Sequence, residues 1–171
     1  MKAVQNLIKQ KPKPFGFETT LDSIGLFAEE NNFSHFPVLE SGVYMGAIAA
    51  EDIIPSKTKS IGEYRHALLP YFVRYDSSWL KKKKKFAQYN CNVLAVLNEN
   101  NTYIGYYIYE DVIAFLNETP FLKDAGLALV VEKHYLDYSI SEIAQIVEIN
   151  NCKLLGVFVS SMHNHTVQIT I

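Results

Sequence analysis

The sequence predicts an α+β chain: two pseudo-symmetric α-β-β-α repeats packed as one module, followed by a partial βαββ segment. Three observations lead there. Residues 18–39, "ETTLDSIGLFAEENNFSHFPVL", align with residues 76–97, "DSSWLKKKKKFAQYNCNVLAVL", at an offset of 58 without a gap. One extra loop residue then moves the offset to 59, where "GAIAAEDI" (46–53) falls on "GYYIYEDV" (105–112). Beyond residue 118 the pattern changes to an apolar strand, an amphipathic helix and two further strands. The boundaries that follow are 1–59 for the first repeat, 60–118 for the second and 119–171 for the remainder.

Each repeat has the same physical layout. A hydroxyl residue, Thr20 or Ser78, is placed to cap a helix N-terminus. In the first repeat that helix carries Leu21, Ile24, Gly25 and Ala28 on one face. Two apolar strands joined by a polar turn come next. They are "HFPVL" and "VYMGAIA" around Glu40-Ser41-Gly42, and "NVLAVL" and "TYIGYYI" around Asn98 to Asn101. Glu51-Asp52 or Glu110-Asp111 then opens a second helix, where carboxylates suit the helix dipole. "PSKTKS" (55–60) breaks the two copies apart. In the remainder, "LALVV" (127–131) reads as a buried strand. Ser139 and Glu142 form a capping box ahead of a helix whose apolar face is Ile140, Ile143, Ala144 and Val147. "KLLGVFVS" and "TVQITI" are the last two strands, with "SMHNH" as their turn.

Charge and composition remove whole classes of function. The chain carries −2, and without the five lysines of the run Lys81–Lys85 it would carry −7. A general affinity for nucleic acid is therefore excluded, and any basic function is local. The tyrosine-rich stretch 103–109 lacks the basic neighbours of a base-stacking surface, and its alternation divides tyrosines between core and interface. No apolar run reaches the ~18 residues of a membrane span, and the first fifteen residues lack the apolar core of a signal peptide. Cys91 and Cys152 read as reduced core residues of a cytoplasmic protein, with a disulfide between them left open. No phosphate loop, nucleophile elbow or paired metal motif appears, so no catalytic residue and no metal site is assigned. His163 and His165 would point the same way in an extended stretch, but no third ligand accompanies them. His35 and His66 read as structural.

The stretches "SHFPVLESGVYMGAIAAEDI" and "NVLAVLNENNTYIGYYIYEDV" resemble the repeats of a CBS domain pair. Each has an apolar strand, a polar turn, an apolar strand with glycine, and Asp six residues past that glycine. The resemblance covers about residues 1–118. It implies a pseudo-symmetric regulatory module that forms a homodimer and takes AMP, ADP or ATP in the clefts between repeats. It further implies ribose contacts from Asp52 and Asp111, and a base packed against Phe36 and Pro37 or Leu94 and Ala95. Thr20, Asp76 and Ser78, read as ending the first strand of each copy, would reach the base. The family's phosphate-facing hydroxyl is missing from both copies, which have Ala49 and Ile108 there. The competing reading is a structural dimerisation module with degenerate sites, its aspartates serving only helix N-termini.

The βαββ remainder looks like the first part of a ferredoxin-like, ACT-type domain. A CBS pair with such an appendage resembles the acetoin-utilisation family.

The lysine run aligns with the first helix of repeat one, so it belongs to a helix and not to a tail. Five consecutive residues at 100° each encircle a helix. Trp79, Lys82, Lys83 and Phe86 are expected on the inward face. Lys82 and Lys83 must then either snorkel their ammoniums outward or meet a phosphate in the cleft or an acidic surface across the dimer.

Overall fold

The computed structural model describes residues 4–171; residues 1–3, which open the stretch read for a targeting signal, lie outside it. The chain divides into two compact units, Met1–Leu116 and Asn117–Ile171.

In the first unit, repeat one consists of β1 (Phe15–Gly16), α1 (Leu21–Asn31), β2 (His35–Glu40) and β3 (Val43–Ala49). Repeat two consists of β4 (Phe72–Arg74), α2 (Trp79–Tyr89), β5 (Val93–Leu97), β6 (Tyr103–Ile108) and α3 (Tyr109–Asn117). Each makes a three-stranded sheet, β1-β2-β3 or β4-β5-β6, with the first strand parallel to the second and the third antiparallel to it. The caps repeat as well. Thr20 accepts from the Ser23 amide and Ser78 from the Lys81 amide. Asn32 and Asn90 end the two helices at φ 51° and 47°, a left-handed turn that asparagine tolerates. The first hairpin turns on Ser41 and Gly42, both at positive φ, which suits the twist of the strands.

The predicted second helix of repeat one shrinks to a 3-10 turn, Ala50–Asp52. Pro55 has no N–H and its ring would clash with the Glu51 carbonyl, so a helix opening at Glu51 cannot propagate. Ala114 stands at the corresponding place in α3, which forms in full.

Residues equivalent under the repeat touch one another and mark a pseudo-two-fold axis. The Ser34 amide donates to Asn92 Oδ1, and the Asn92 amide donates back to Ser34 Oγ, each at 2.8 Å. Val43 bridges Thr102, and the Tyr44 and Tyr103 rings stack at 6.2 Å. Across this axis each repeat's leading segment pairs with the other repeat. Lys9 and Tyr106 exchange backbone hydrogen bonds of 2.8 and 2.9 Å; Leu69 and Ala47 exchange two of 2.8 Å. The signature glycines make room for these crossings. Gly46 and Gly105 both have φ +144°, and each lies opposite the bulged part of its partner strand. A Cβ on Gly105 would fall 2.5 Å from Ile8 and from the Lys9 carbonyl.

Each repeat has its own core. Leu21, Ile24, Phe36, Val38, Ile48 and Ile61 fill the first; Val73, Phe86, Leu94, Val96, Tyr107 and Val112 fill the second. Tyr106 and Tyr107 are both buried, on opposite faces of β6, while Tyr109 stays exposed.

In the second unit, a short α4 (Pro120–Lys123) precedes β7 (Val130–His134), α5 (Ile140–Ile149), β8 (Phe158–His163) and β9 (Thr166–Thr170). The sheet order is β7-β9-β8, with β9 antiparallel to both neighbours. That is the βαββ order expected. Ile143 of α5 packs with Val167 and Ile169. Several details differ from expectation. The stretch 127–131 is not buried: Leu127 is 91% exposed, and the strand starts only at Val130. Ile140, read as part of the inner helix face, is exposed because the three-stranded sheet covers only the Ile143 row. The β8–β9 turn is two residues, Asn164-His165, both at positive φ, so Ser161 to His163 belong to β8 and the two histidines do not share an extended stretch. Cys152 is exposed, not a core residue; both cysteines are free, and burial pushes the Cys91 thiol up to about 11.

Candidate ligand clefts between the repeats

The crossing of the leading segments creates two pseudo-equivalent clefts. In the first, Pro12, Lys13 and Pro14 form one wall, and Tyr103 and Tyr106 another. Its floor is aromatic: Phe27, Phe33, Phe36 and Pro37. Phe15, Phe27 and Phe36 meet edge to face at 5.5–5.9 Å, and Phe33 meets Tyr106 at 5.7 Å. The two prolines hold the wall extended. Tyr106 donates its phenol proton to the Lys11 carbonyl at 2.6 Å, and Lys9 pairs with Asp111 at 2.8 Å. Burial and the Asp111 charge together hold the Tyr106 phenol above its ordinary value. Lys9, Lys11 and Lys13 are all exposed along this wall.

The second cleft is built from the symmetry mates and looks different. Tyr71 takes the place of Lys13 and lies flat on Tyr89, with centroids 4.2 Å apart and planes 5° apart. The His35 ring is 5.3 Å away on Tyr71. Lys85, where repeat one has Phe27, donates to the Tyr89 hydroxyl at 2.7 Å. Tyr44 donates to the Tyr71 carbonyl at 2.7 Å. Burial lowers the His35 pKa, opposed by the charges of Glu51 and Asp52. Asp52 itself is exposed on its 3-10 turn.

The residues nominated from sequence separate into groups. Phe36 and Pro37 line the first cleft, although Phe36 also belongs to the repeat-one core. Leu94 lies in the repeat-two core with no exposed surface, and its neighbour Ala95 is buried. Thr20 and Ser78 lie four residues beyond β1 and β4, not at the strand ends expected, and both are engaged as helix caps. Asp76 is exposed, and its charge partly offsets the lowering of the Lys82 pKa by burial. Ala49 is buried and Ile108 half-buried, so neither copy has a hydroxyl at that position.

The lysine expectation needs correction on two points. Lys83 is exposed rather than inward. Its counterpart Gly25 is covered by Pro55, whose Cγ would lie 3.4 Å from an added Cβ, and repeat two has Ala114 at that proline's place. Lys82 does not snorkel: the whole side chain is buried where repeat one has Ile24. Its ammonium donates to the backbone carbonyls of Tyr75, at 3.3 Å, and Ser77, and sits over the Tyr107 ring. Those carbonyls correspond to Phe17 and Thr19, which in repeat one accept from the Gly62 and Ile61 amides, each at 3.0 Å. One side-chain cation thus does in repeat two what two backbone donors do in repeat one. Burial lowers its pKa.

Lys9, Tyr71, Lys85, Tyr89 and Tyr106 were not found from sequence. A longer repeat alignment carries part of the signal, since the offset of 58 sets Pro12 on Pro70 and Lys13 on Tyr71.

No protein-family model matches this chain, and no curated protein matches its sequence. Solved structures do match. A CBS domain pair/ACT domain protein from Thermotoga maritima has 17% identity and a TM-score of 0.59, with 68% of this chain and 98% of that chain covered. The CBS domains of a transcriptional regulator from Streptococcus pneumoniae match at 17% and 0.56, covering 67% and 98%. CBSX2, solved in complex with AMP, matches at 16% and 0.55, covering 68% and 96%. Together with the crossed repeats, these likenesses establish the fold of a tandem CBS domain pair. They cover about two thirds of this chain.

Proposed function

We propose that the first unit is a regulatory, non-catalytic module that senses an adenine nucleotide in the first cleft. The observation that carries this reading is the cleft's composition. The slot is aromatic and proline-lined, which suits a planar base once its walls part, since its free volume is about 10 Å³. Asp111, tied to the leading segment through Lys9, offers a carboxylate for ribose hydroxyls. Lys9, Lys11 and Lys13 offer a cationic wall for phosphate. A CBS pair that binds AMP has the same fold. Asp52, Thr20, Ser78, Leu94, Ala95 and Lys83 contribute nothing to the first cleft in this reading.

The ligand signals because Asp111 is already engaged. A ribose that takes its carboxylate competes with Lys9, and Lys9 also pins the leading segment to β6 through its backbone. Binding therefore shifts the balance between a clamped and a released leading segment, provided the two states differ in affinity. The module acts as a homodimer in the cytoplasm, and the βαββ unit is ACT-like, as the resemblance to the acetoin-utilisation family implies. Among the described residues no helix is long and apolar enough to cross a membrane.

Calorimetry with AMP, ADP and ATP tests the proposal on the full chain and on Asp111→Ala. Binding at tens of micromolar that weakens about tenfold in the variant is expected, which corresponds to ~1.4 kcal/mol. No heat with any of the three nucleotides overturns it.

A further inference from the structure

We propose that the second cleft is closed by Tyr71, which holds the place of a ligand's planar base, so that each chain takes a single nucleotide. This rests on the nucleotide reading of the first cleft for its ligand class.

Counted back from the matching strand pairs Phe15–Val38 and Val73–Val96, Lys13 of the first cleft falls on Tyr71 of the second, while the crossings themselves match Lys9 with Leu69. An exposed, flexible cation on one wall is replaced by a flat ring facing inward. That ring is stacked almost parallel on Tyr89 and has His35 against it. Separations of 4.2 and 5.3 Å leave no gap for another ring between these groups. Two polar groups remain around that stack. Lys85 provides a cation beside the stack, with its ammonium 4.6 Å from the centre of the Tyr89 ring. Asp52 is the symmetry mate of Asp111, and its exposed carboxylate makes no hydrogen bond or ion pair among the described residues. The second cleft therefore keeps Lys85 and Asp52 around a space already occupied by the protein's own Tyr71–Tyr89–His35 stack. Tyr44 holds the Tyr71 backbone through the carbonyl, not the ring, so removing the ring leaves that wall anchored.

Two substitutions test this on the full chain. Tyr71→Ala empties the slot, and Tyr71→Lys gives the second cleft the residue that the first one has. Calorimetry with AMP is expected to give one site per chain in the wild type and two in either variant, with Tyr71→Phe unchanged at one because it keeps the ring. Wild-type binding at two sites, or variants that keep the wild-type stoichiometry while folded by circular dichroism, overturns the proposal. If the wild type binds no AMP, the first-cleft reading fails alone. The Tyr71 claim then stands on the variants gaining one site and falls if they gain none.

Discussion

Ile24 and Lys82 occupy the same position in the two repeats, both without exposed surface, and they teach what a repeat can exchange. In repeat one the chain returns along the 3-10 stretch Ile61–Ala67, and its amides satisfy the carbonyls of Phe17 and Thr19. An isoleucine then suffices to fill the core. In repeat two the equivalent carbonyls accept from a lysine rising out of the core. A buried acceptor must find a donor, and the donor's identity is free. The lysine run is thus one structural lysine flanked by solvated ones. The same divergence appears at the clefts, where Lys13 of the first has become Tyr71 of the second.

The sharpest way to break this comparison is to move the lysine. Ile24→Lys buries an ammonium where both carbonyls are already taken, and is expected to cost about 3–5 kcal/mol of unfolding free energy, read by urea denaturation. An effect under ~1 kcal/mol would mean that the two cores are interchangeable.

Lys82→Met keeps the volume and removes the donor. It should cost about 1–3 kcal/mol, because two carbonyls lose their partner. If it stabilises the fold instead, Lys82 is only a poor core residue. Its pH dependence sharpens the point. Burial lowers the Lys82 pKa below 10.5, so in the window between the lowered value and 10.5 the unfolded chain binds more protons than the folded one. Stability from this group rises with pH across that window, and the penalty of burying its charge is fully present below it. The wild type should therefore gain on Lys82→Met as the pH approaches 10.5. A difference that stays flat with pH contradicts the assignment.

Smaller effects follow at the crossings. Gly105→Ala forces φ +144° on an alanine and drives its Cβ into Ile8 and Lys9, for a cost of about 1–3 kcal/mol. Gly46→Ala meets Leu68 and Leu69 at 3.0 Å and should cost less. Equal thermal shifts would show that strain in φ, not the crossing segment, sets the demand for glycine.

Much of this architecture was legible because the repeat carries it. The caps Thr20 and Ser78, both hairpins, the spacing from glycine to aspartate and the order βαββ all depend on local chemistry. The missing helix of repeat one turns on a single residue, Pro55, which outweighs the favourable Glu51-Asp52 start. The clefts were less legible. Strand positions such as Leu94 and Phe36 look alike in sequence, yet alternation sends Leu94 wholly into its core. The residues that distinguish the clefts, Lys9 and Tyr71, lie in leading segments that cross to the other repeat, so Lys9 meets Tyr106 about 100 residues on and Tyr71 meets Tyr44 27 residues back. Only a tertiary structure reveals such pairs. The surface of the second unit differs for the opposite reason: apolar runs such as 127–131 indicate burial, but the described sheet buries only its central strand.

The proposed nucleotide site is the first cleft and not the second. Amide chemical shifts of the isotope-labelled chain during titration with AMP test it most directly. The predicted result is saturable shifts at Lys9, Phe36, Tyr106 and Asp111, with Tyr71, Tyr89 and Asp52 unmoved. Shifts centred on Tyr71 and Asp52, or none at all, would contradict it.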